Sequence, residues 1–207
     1  MPPLVLIPCR AFTKGKSRLA PILEPAGRAG LCRCFLHDTL TRIAALVPSS
    51  DIHVVTADRD VAAMAEAAGV SALAEATDGL NKALAGAVQQ LARQRQDFSR
   101  RGLLVLPTDL PRATPKALRT AIETTADILL VPDHSEQGTN LLRLGPGIAQ
   151  NFQFHFGSGS FTLHQKEASR LGIAAHILRE PTLSHDVDTP EDYAAWQNSA
   201  EPNQARV

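Results

Sequence analysis

Residues 1–21 read MPPLVLIPCRAFTKGKSRLAP, and the fold of the whole chain turns on them. Leu4-Val5-Leu6-Ile7 is a short continuous apolar run, which fits a strand buried on both faces at the centre of a parallel sheet. Arg10, Lys14, Lys16 and Arg18 follow directly, with Gly15 and Ser17 between them, so four cations fall within nine residues. In an α/β protein the end of a buried strand is where ligands bind, and a loop of this charge there suits phosphates. A solvated basic loop has the same composition. The rest of the chain has to decide.

Gly15-Lys16-Ser17 ends like a P-loop and calls for a specific test. A Walker A motif needs glycine where this chain has Arg10, and a helix running on from the Lys-Ser pair. Pro21 and Pro25 break or restrict such a helix within about two turns. An irregular basic loop around a nucleotide's phosphates is therefore the better functional reading.

Apolar residues at Leu31, Phe35, Leu36, Leu40, Ile43 and Val47 keep a helical period through residues 25–47. Strands are expected at 52–56, 70–74, 103–106 and 128–131, and helices at 58–68 and 79–94. A further helix starts at Thr114-Pro115, Thr as N-cap and Pro in the first helical position. Strands alternating with helices at this spacing imply a mainly parallel sheet with helices on both faces. The order breaks after Pro132. A short strand at 140–144, the turn Gly145-Pro146-Gly147 and an aromatic segment at 152–156 come next. Gly157-Ser158-Gly159-Ser160 opens a helix to Leu171, 174–178 is a last strand, and Thr189-Pro190 repeats the helix start. The chain reads as one α/β domain over 1–198, with 199–207 as a frayed tail.

Lys plus Arg and Asp plus Glu are both 21, so no net charge argues for nucleic acid or an anionic membrane as partner. No apolar run is long enough to span a bilayer, and the N-terminal run is too short and too soon followed by Arg10 for a signal peptide. Cys9, Cys32 and Cys34 are expected to be reduced thiols of a cytoplasmic protein. Two apart on a helix, Cys32 and Cys34 point to nearly opposite sides and do not chelate together.

Four further features carry chemistry. Asp109, in Pro107-Thr108-Asp109-Leu110-Pro111, sits at a strand's C-terminal end, where a carboxylate holds Mg²⁺ against phosphates or merely caps the turn. Asp186 and Asp188, two apart in an extended segment, point to one side and need a cation or donors beside them. The Gly157 to Ser160 turn presents backbone N–H groups and a hydroxyl at a helix start, which suits an anion. Thr139, after Gly138, is a weaker candidate of the same kind. Thr56, Asp58, Gly79 and Asn81 lie at strand-to-helix junctions where amides and carboxylates read a base or ribose. His164 follows Ser160 by four residues, on the same helical face and within reach of the same anion. His53, inside a strand, reads as a packed residue. There is no nucleophile-base-orienter set of the serine or cysteine hydrolase kind.

Lys16-Ser17-Arg18-Leu19-Ala20-Pro21, Val54-Val55-Thr56, Gly79-Leu80-Asn81, Asp109-Leu110-Pro111, Gly138-Thr139, Phe156-Gly157 with Ser160 and His164, and Asp186-Val187-Asp188-Thr189-Pro190 occur in that order. In order and spacing the sequence resembles the phospho-acid guanylyltransferases that build the side chain of coenzyme F420. The resemblance implies a three-layer, Rossmann-like nucleotidyltransferase fold of the nucleotide-diphospho-sugar transferase kind. It implies transfer of GMP from GTP to 2-phospho-L-lactate, phosphoenolpyruvate or 3-phospho-D-glycerate. It assigns the phospho-acid to Thr139, Gly157 and Ser160, while charge and position at strand ends give GTP to Arg10, Lys14, Lys16, Ser17, Arg18, Thr56, Asp58, Gly79 and Asn81. Mg²⁺ falls to Asp109, Asp186 and Asp188, with Lys16, Arg18 and Asp109 as the catalytic set. Family members often carry Lys where this chain has Arg10, so a planar fork replaces a point cation. Two alternatives stand beside this reading: a sugar-phosphate or molybdopterin-type acceptor, and a nucleotide-binding regulator without turnover. Oligomeric state stays open, a symmetric homodimer being the commonest soluble assembly.

Overall fold

The computed structural model describes residues 1–74 and 79–199, so part of the expected tail, 200–207, lies outside the described residues. Seven strands form one sheet: β1 (Leu4–Pro8), β2 (Ile52–Thr56), β3 (Ser71–Ala74), β4 (Leu103–Val105), β5 (Ile128–Pro132), β6 (Thr139–Leu144) and β7 (Ala175–Ile177). Their order is β3-β2-β1-β4-β6-β5-β7. β1 pairs in parallel with β2 and β4, while β6 runs antiparallel to both β4 and β5. The break in alternation after Pro132 is thus the antiparallel insertion in an otherwise parallel sheet.

Leu4, Val5, Leu6 and Ile7 have no solvent exposure. Val5 and Ile7 pack on one face of the sheet against α1 (Pro25–Ala44), α2 (Arg59–Ala67) and α4 (Pro115–Glu123). Leu4 and Leu6 pack on the other face, in the layer built by α3 (Leu80–Gln94) and α5 (Ser160–Arg170). A strand covered on both sides must be apolar at every position, which is why this run does not alternate. Each such side chain contributes about 1.5–3 kcal/mol. Between β1 and α1 the chain makes two short 3₁₀ turns, Phe12–Lys14 and Ser17–Leu19. No helix runs on from Lys16-Ser17. α1 begins at Pro25, where proline's missing N–H costs nothing.

The last helix, α6 (Pro190–Ser199), adds a small separate cluster: Tyr193 and Trp196 pack with Leu19, Leu31, Phe35 and Val187. The Trp196 ring meets Phe35 edge-on at 5.3 Å. No helix among the described residues is long and apolar enough to cross a membrane.

His53 is buried in β2 and shares a 2.6 Å hydrogen bond with the Ser71 hydroxyl. It is a packed residue, as its place in a strand suggested. Burial, with Arg95 adding, pushes its pKa from 6.5 down to about 4. The unfolded chain therefore binds a proton near pH 6.5 that the folded chain refuses until about pH 4. His53's contribution to stability is complete above pH 6.5 and falls away between 6.5 and 4. The urea midpoint is expected to drop from pH 7 to pH 5, and His53→Gln to flatten that drop; an unchanged slope in the variant would show that other groups set the acid limit.

Candidate active site

The C-terminal ends of β1, β2 and β4 open into a cavity of about 480 Å³, within the range for a small-molecule site. The basic loop supplies one wall through Arg10, Lys14, Gly15, Lys16, Ser17 and Arg18. Pro107, Thr108 and Asp109 come from the end of β4, and Asp188 faces them. Val55, Leu80 and Ala83 give an apolar wall, closed by Phe156 and Gly157.

Asp109, Asp186 and Asp188 offer carboxylate oxygens that all lie within 4.8 Å of one another. Val187 is what holds them: its side chain is buried in the α6 cluster, and its N–H donates to the Asp109 carbonyl at 3.1 Å. With Val187 turned inward, the residues two apart on either side of it both reach Asp109. Burial first, then the charges of Asp109 and Asp188, raise the Asp186 pKa to about 6. That is the signature of a surplus of negative charge in a confined space.

Lys16 partly offsets the surplus. Its Nζ donates to Asp109 Oδ2 at 2.6 Å and to Asp188 Oδ1 at 2.8 Å. Burial disfavours the ammonium, but the two carboxylates outweigh it and hold the Lys16 pKa above its usual value. Lys16 also has φ +51°, a left-handed backbone rare for a side-chain-bearing residue, which costs of order 1–3 kcal/mol and collects at working sites. Sequence reasoning made Lys16 a free cation awaiting phosphate. In the structure it is a buried ion pair, because the acids from the far end of the chain are the nearest opposite charges. Arg18 reaches Asp188 only loosely, at 3.5 Å from an exposed position. Arg10 and Lys14 line the cavity with no ion-pair partner among the described residues.

Three hard oxygen donors suit a divalent cation such as Mg²⁺ or Mn²⁺. The Lys16 ammonium between two of them shows that the position already accepts a cation, so the residues fit the metal expected there.

Several other expected site residues are not brought to the cavity. The Thr56 hydroxyl accepts from the Asp58 N–H at 3.1 Å, and the Asp58 carboxylate caps α2, accepting from Asp60 and Val61 N–H. Asn81 spends its amide on the Phe156 backbone, accepting at 2.7 Å and donating at 3.0 Å. These three side chains hold local structure where they were expected to read a base or ribose. Gly79, with φ +104°, caps α3 and does not line the cavity either. Thr139 and Ser160 are buried behind the Phe156-Gly157 wall, and only Gly157 of that expected set lines the cavity. His164 is fully buried, with both ring nitrogens taken inside the protein, so it does not reach an anion itself.

Other residues went unseen in the sequence. Leu80 and Ala83, one turn apart on α3, face the cavity. Gly15 has an ordinary extended backbone, φ −77°. A Cβ there would lie 2.5 Å from Cys32 Sγ, so any larger residue has to displace that thiol. Cys9 is an inert thiol, pushed up to about 12 by burial, with Cys32 and Asp109 adding.

A mainly parallel sheet of this order, with a basic loop and three acids meeting at its strand ends, defines a nucleotidyltransferase. The guanylyl transferase CofC-like family model matches residues 3–196, and the chain belongs to that family. A phosphoenolpyruvate guanylyltransferase of Rubrobacter xylanophilus is 33% identical over 94% of this chain and 93% of its own. A 2-phospho-L-lactate guanylyltransferase of Methanothermobacter thermautotrophicus is 32% identical over 90% of this chain and 80% of its own. Among solved structures, a protein of Desulfovibrio desulfuricans G20, provisionally described as a nucleotide-diphospho-sugar transferase, aligns with a TM-score of 0.75 at 17% identity. That alignment covers 97% of this chain and 88% of the other.

Proposed function

We propose that this enzyme transfers GMP from GTP to a small phosphorylated three-carbon acid and releases pyrophosphate, in the making of coenzyme F420. The observation that carries the reading is one cavity with a basic strand-end loop on one side and Asp109, Asp186 and Asp188 on the other. The acceptor classes come from the relatives, named for phosphoenolpyruvate and for 2-phospho-L-lactate; 3-phospho-D-glycerate differs from these by few atoms.

The acceptor's phosphate oxygen attacks the α-phosphorus of GTP. The new bond joins that oxygen to phosphorus, and the bond to the β-phosphate oxygen breaks. A phosphate monoester has a second pKa of about 6, so the nucleophile is anionic near neutral pH and needs no general base. The cavity's carboxylates are then left to the cation and not to proton abstraction. Positioning and charge neutralisation then supply most of the catalysis. Arg10, Lys14 and Arg18 meet the triphosphate, and Val55, Leu80 and Ala83 give the guanosine an apolar wall. Asp109, Asp186 and Asp188 would hold a divalent cation, which supplies charge stabilisation to the phosphoryl oxygens. Lys16, bonded to Asp109 and Asp188 in the same cavity wall as Lys14 and Arg18, holds the two carboxylates in place beside the triphosphate. Gly157 presents its backbone to the acceptor, with Thr139 and Ser160 behind it.

The test is pyrophosphate release with each nucleoside triphosphate against phosphoenolpyruvate, 2-phospho-L-lactate and 3-phospho-D-glycerate. GTP with one of the three acids should give turnover, and a chelator should abolish it until Mg²⁺ or Mn²⁺ is restored. Turnover only with a sugar phosphate would overturn the acceptor assignment, and turnover in excess chelator would overturn the metal assignment.

A further inference from the structure

His164 lies in the core of the α5 layer with no solvent exposure. Its Nε2 accepts a hydrogen bond from the His155 backbone N–H at 3.0 Å. A backbone N–H can only donate, so Nε2 carries no proton and Nδ1 must carry the ring's hydrogen. Nδ1 faces the Thr139 hydroxyl at 2.9 Å. The Thr139 oxygen is therefore the acceptor in that contact, and its own hydrogen must point elsewhere. The same logic applies one step on: the Thr139 backbone N–H donates to the Ser160 hydroxyl at 2.8 Å, so Ser160 is also an acceptor inside the protein. Neither hydroxyl hydrogen finds an acceptor among the described residues, although both side chains are more than nine-tenths buried. Buried hydroxyl hydrogens are ordinarily satisfied, and two unmet neighbours point to a ligand that accepts.

Open space lies beside them at the glycine turn. Gly157 and Gly159 have φ of +124° and +69°, and a Cβ at either would meet nothing within 4 Å. Ser160 is tied to this turn by its N–H, which donates to the Gly157 carbonyl at 3.1 Å, and Gly157 lines the cavity. The His164 ring is fixed as well as polarised, since Phe156 meets it edge-on at 4.9 Å.

We propose that His164 is a positioning residue for the acceptor: by donating from Nδ1 it commits the Thr139 hydroxyl, beside that of Ser160, to donate to an anionic oxygen of the phosphorylated acid. The inference rests on the reading that Thr139 and Ser160 meet the acceptor. The corner then favours a carboxylate or phosphate oxygen, which only accepts, over a ligand group that must donate.

Two substitutions separate the ring's two contacts. His164→Asn places an amide N–H near the Nδ1 position and keeps the donor to Thr139. His164→Gln reaches the Nε2 position and keeps the His155 contact while losing that donor. His164→Gln is expected to raise the acceptor KM about 10-fold, with the GTP KM within about twofold, and His164→Asn to change the acceptor KM less than about threefold. Because His164 acts through Thr139, adding His164→Gln to Thr139→Val should cost nothing beyond Thr139→Val alone. Equal effects of Asn and Gln, or effects that add to Thr139→Val, overturn the role of His164. An acceptor KM unmoved by Thr139→Val overturns instead the placement of the acceptor at this corner, and the inference falls with it. Wild-type protein gives a test that needs no variant: ¹⁵N NMR of the imidazoles should show His164 neutral, with its proton on Nδ1. A proton on Nε2 overturns the proposal outright.

Discussion

Asp109→Asn is expected to reduce pyrophosphate release from GTP plus acceptor by about 10³-fold or more, with the circular dichroism spectrum and melting temperature nearly unchanged. The side chain keeps its shape and loses only its charge, at the point where β4 meets Lys16, Asp186 and Asp188. Positioning by backbone survives, because the Asp109 carbonyl still accepts from the Val187 N–H. Stability changes little because two terms oppose each other. Lys16 loses its 2.6 Å partner but keeps Asp188, and Asp186 loses one of the two carboxylate charges that raise its pKa. What disappears is one of three anionic oxygen donors in a partly buried site, where charge is least replaceable by solvent. Asp186 should in turn titrate at a lower pH in the variant. A folded Asp109→Asn enzyme with near-normal turnover would remove Asp109 from the metal set and leave the task to Asp186 and Asp188.

The second large effect is on stability and lies at the opposite end of the sheet. Arg101 stands just before β4, with only about 5% of its side chain exposed. Its guanidinium donates to both carboxylate oxygens of Asp51, to Asp97 and to the Pro2 carbonyl, pinning the starts of β1, β2 and β4 together. Arg101→Met leaves Asp51, itself buried, with Arg95 alone. Breaking a buried pair from one side costs about 3–5 kcal/mol, because the remaining charge stays desolvated. For a chain of this size that lowers the melting temperature by about 6–20 °C. Replacing Asp51 with leucine in the same variant should recover part of the loss, since no orphaned charge remains. Turnover per folded molecule should be unaffected, because Asp109 lies at the other end of the strand. A fall in melting temperature of a degree or two would show that Arg95 and water suffice for Asp51.

The fold was largely legible because its rules are local. The unbroken apolar run at 4–7 marks a strand covered on both faces, and Thr114-Pro115 marks a helix start that the Thr114 hydroxyl does cap. The placing of Asp109, Asp186 and Asp188 was legible too, through strand ends and a two-residue alternation. What was not legible depends on which group a polar side chain meets across space. Asn81 and Phe156 are 75 residues apart, and nothing in Gly79-Leu80-Asn81 tells of a backbone waiting for that amide. Asp58 was read as a ligand at a strand-to-helix junction, and the same position lets its carboxylate take the N–H groups of Asp60 and Val61 as a cap. His164 was placed on the correct face of its helix, but helical spacing does not give the direction of a hydrogen. Gly15 was weighed only within the P-loop-like Gly15-Lys16-Ser17, and that triplet says nothing of the sulfur atom on α1 that it lies against.

The contact between Lys16 and Asp188 joins residues 172 apart in sequence. β1, β2 and β3 can pair while the chain is still being made, but Asp186, Val187 and Asp188 are synthesised after every strand of the sheet. α6 then packs on α1 through Trp196 against Phe35, and the Lys16 ammonium of the basic loop sits 6.0 Å from that same ring. Closing so long a loop is slow and comes late in folding. On the proposed metal assignment, a chain folded only as far as β7 owns the whole sheet and still lacks Asp186 and Asp188, and recovery of turnover should then be a stricter clock of refolding than recovery of secondary structure.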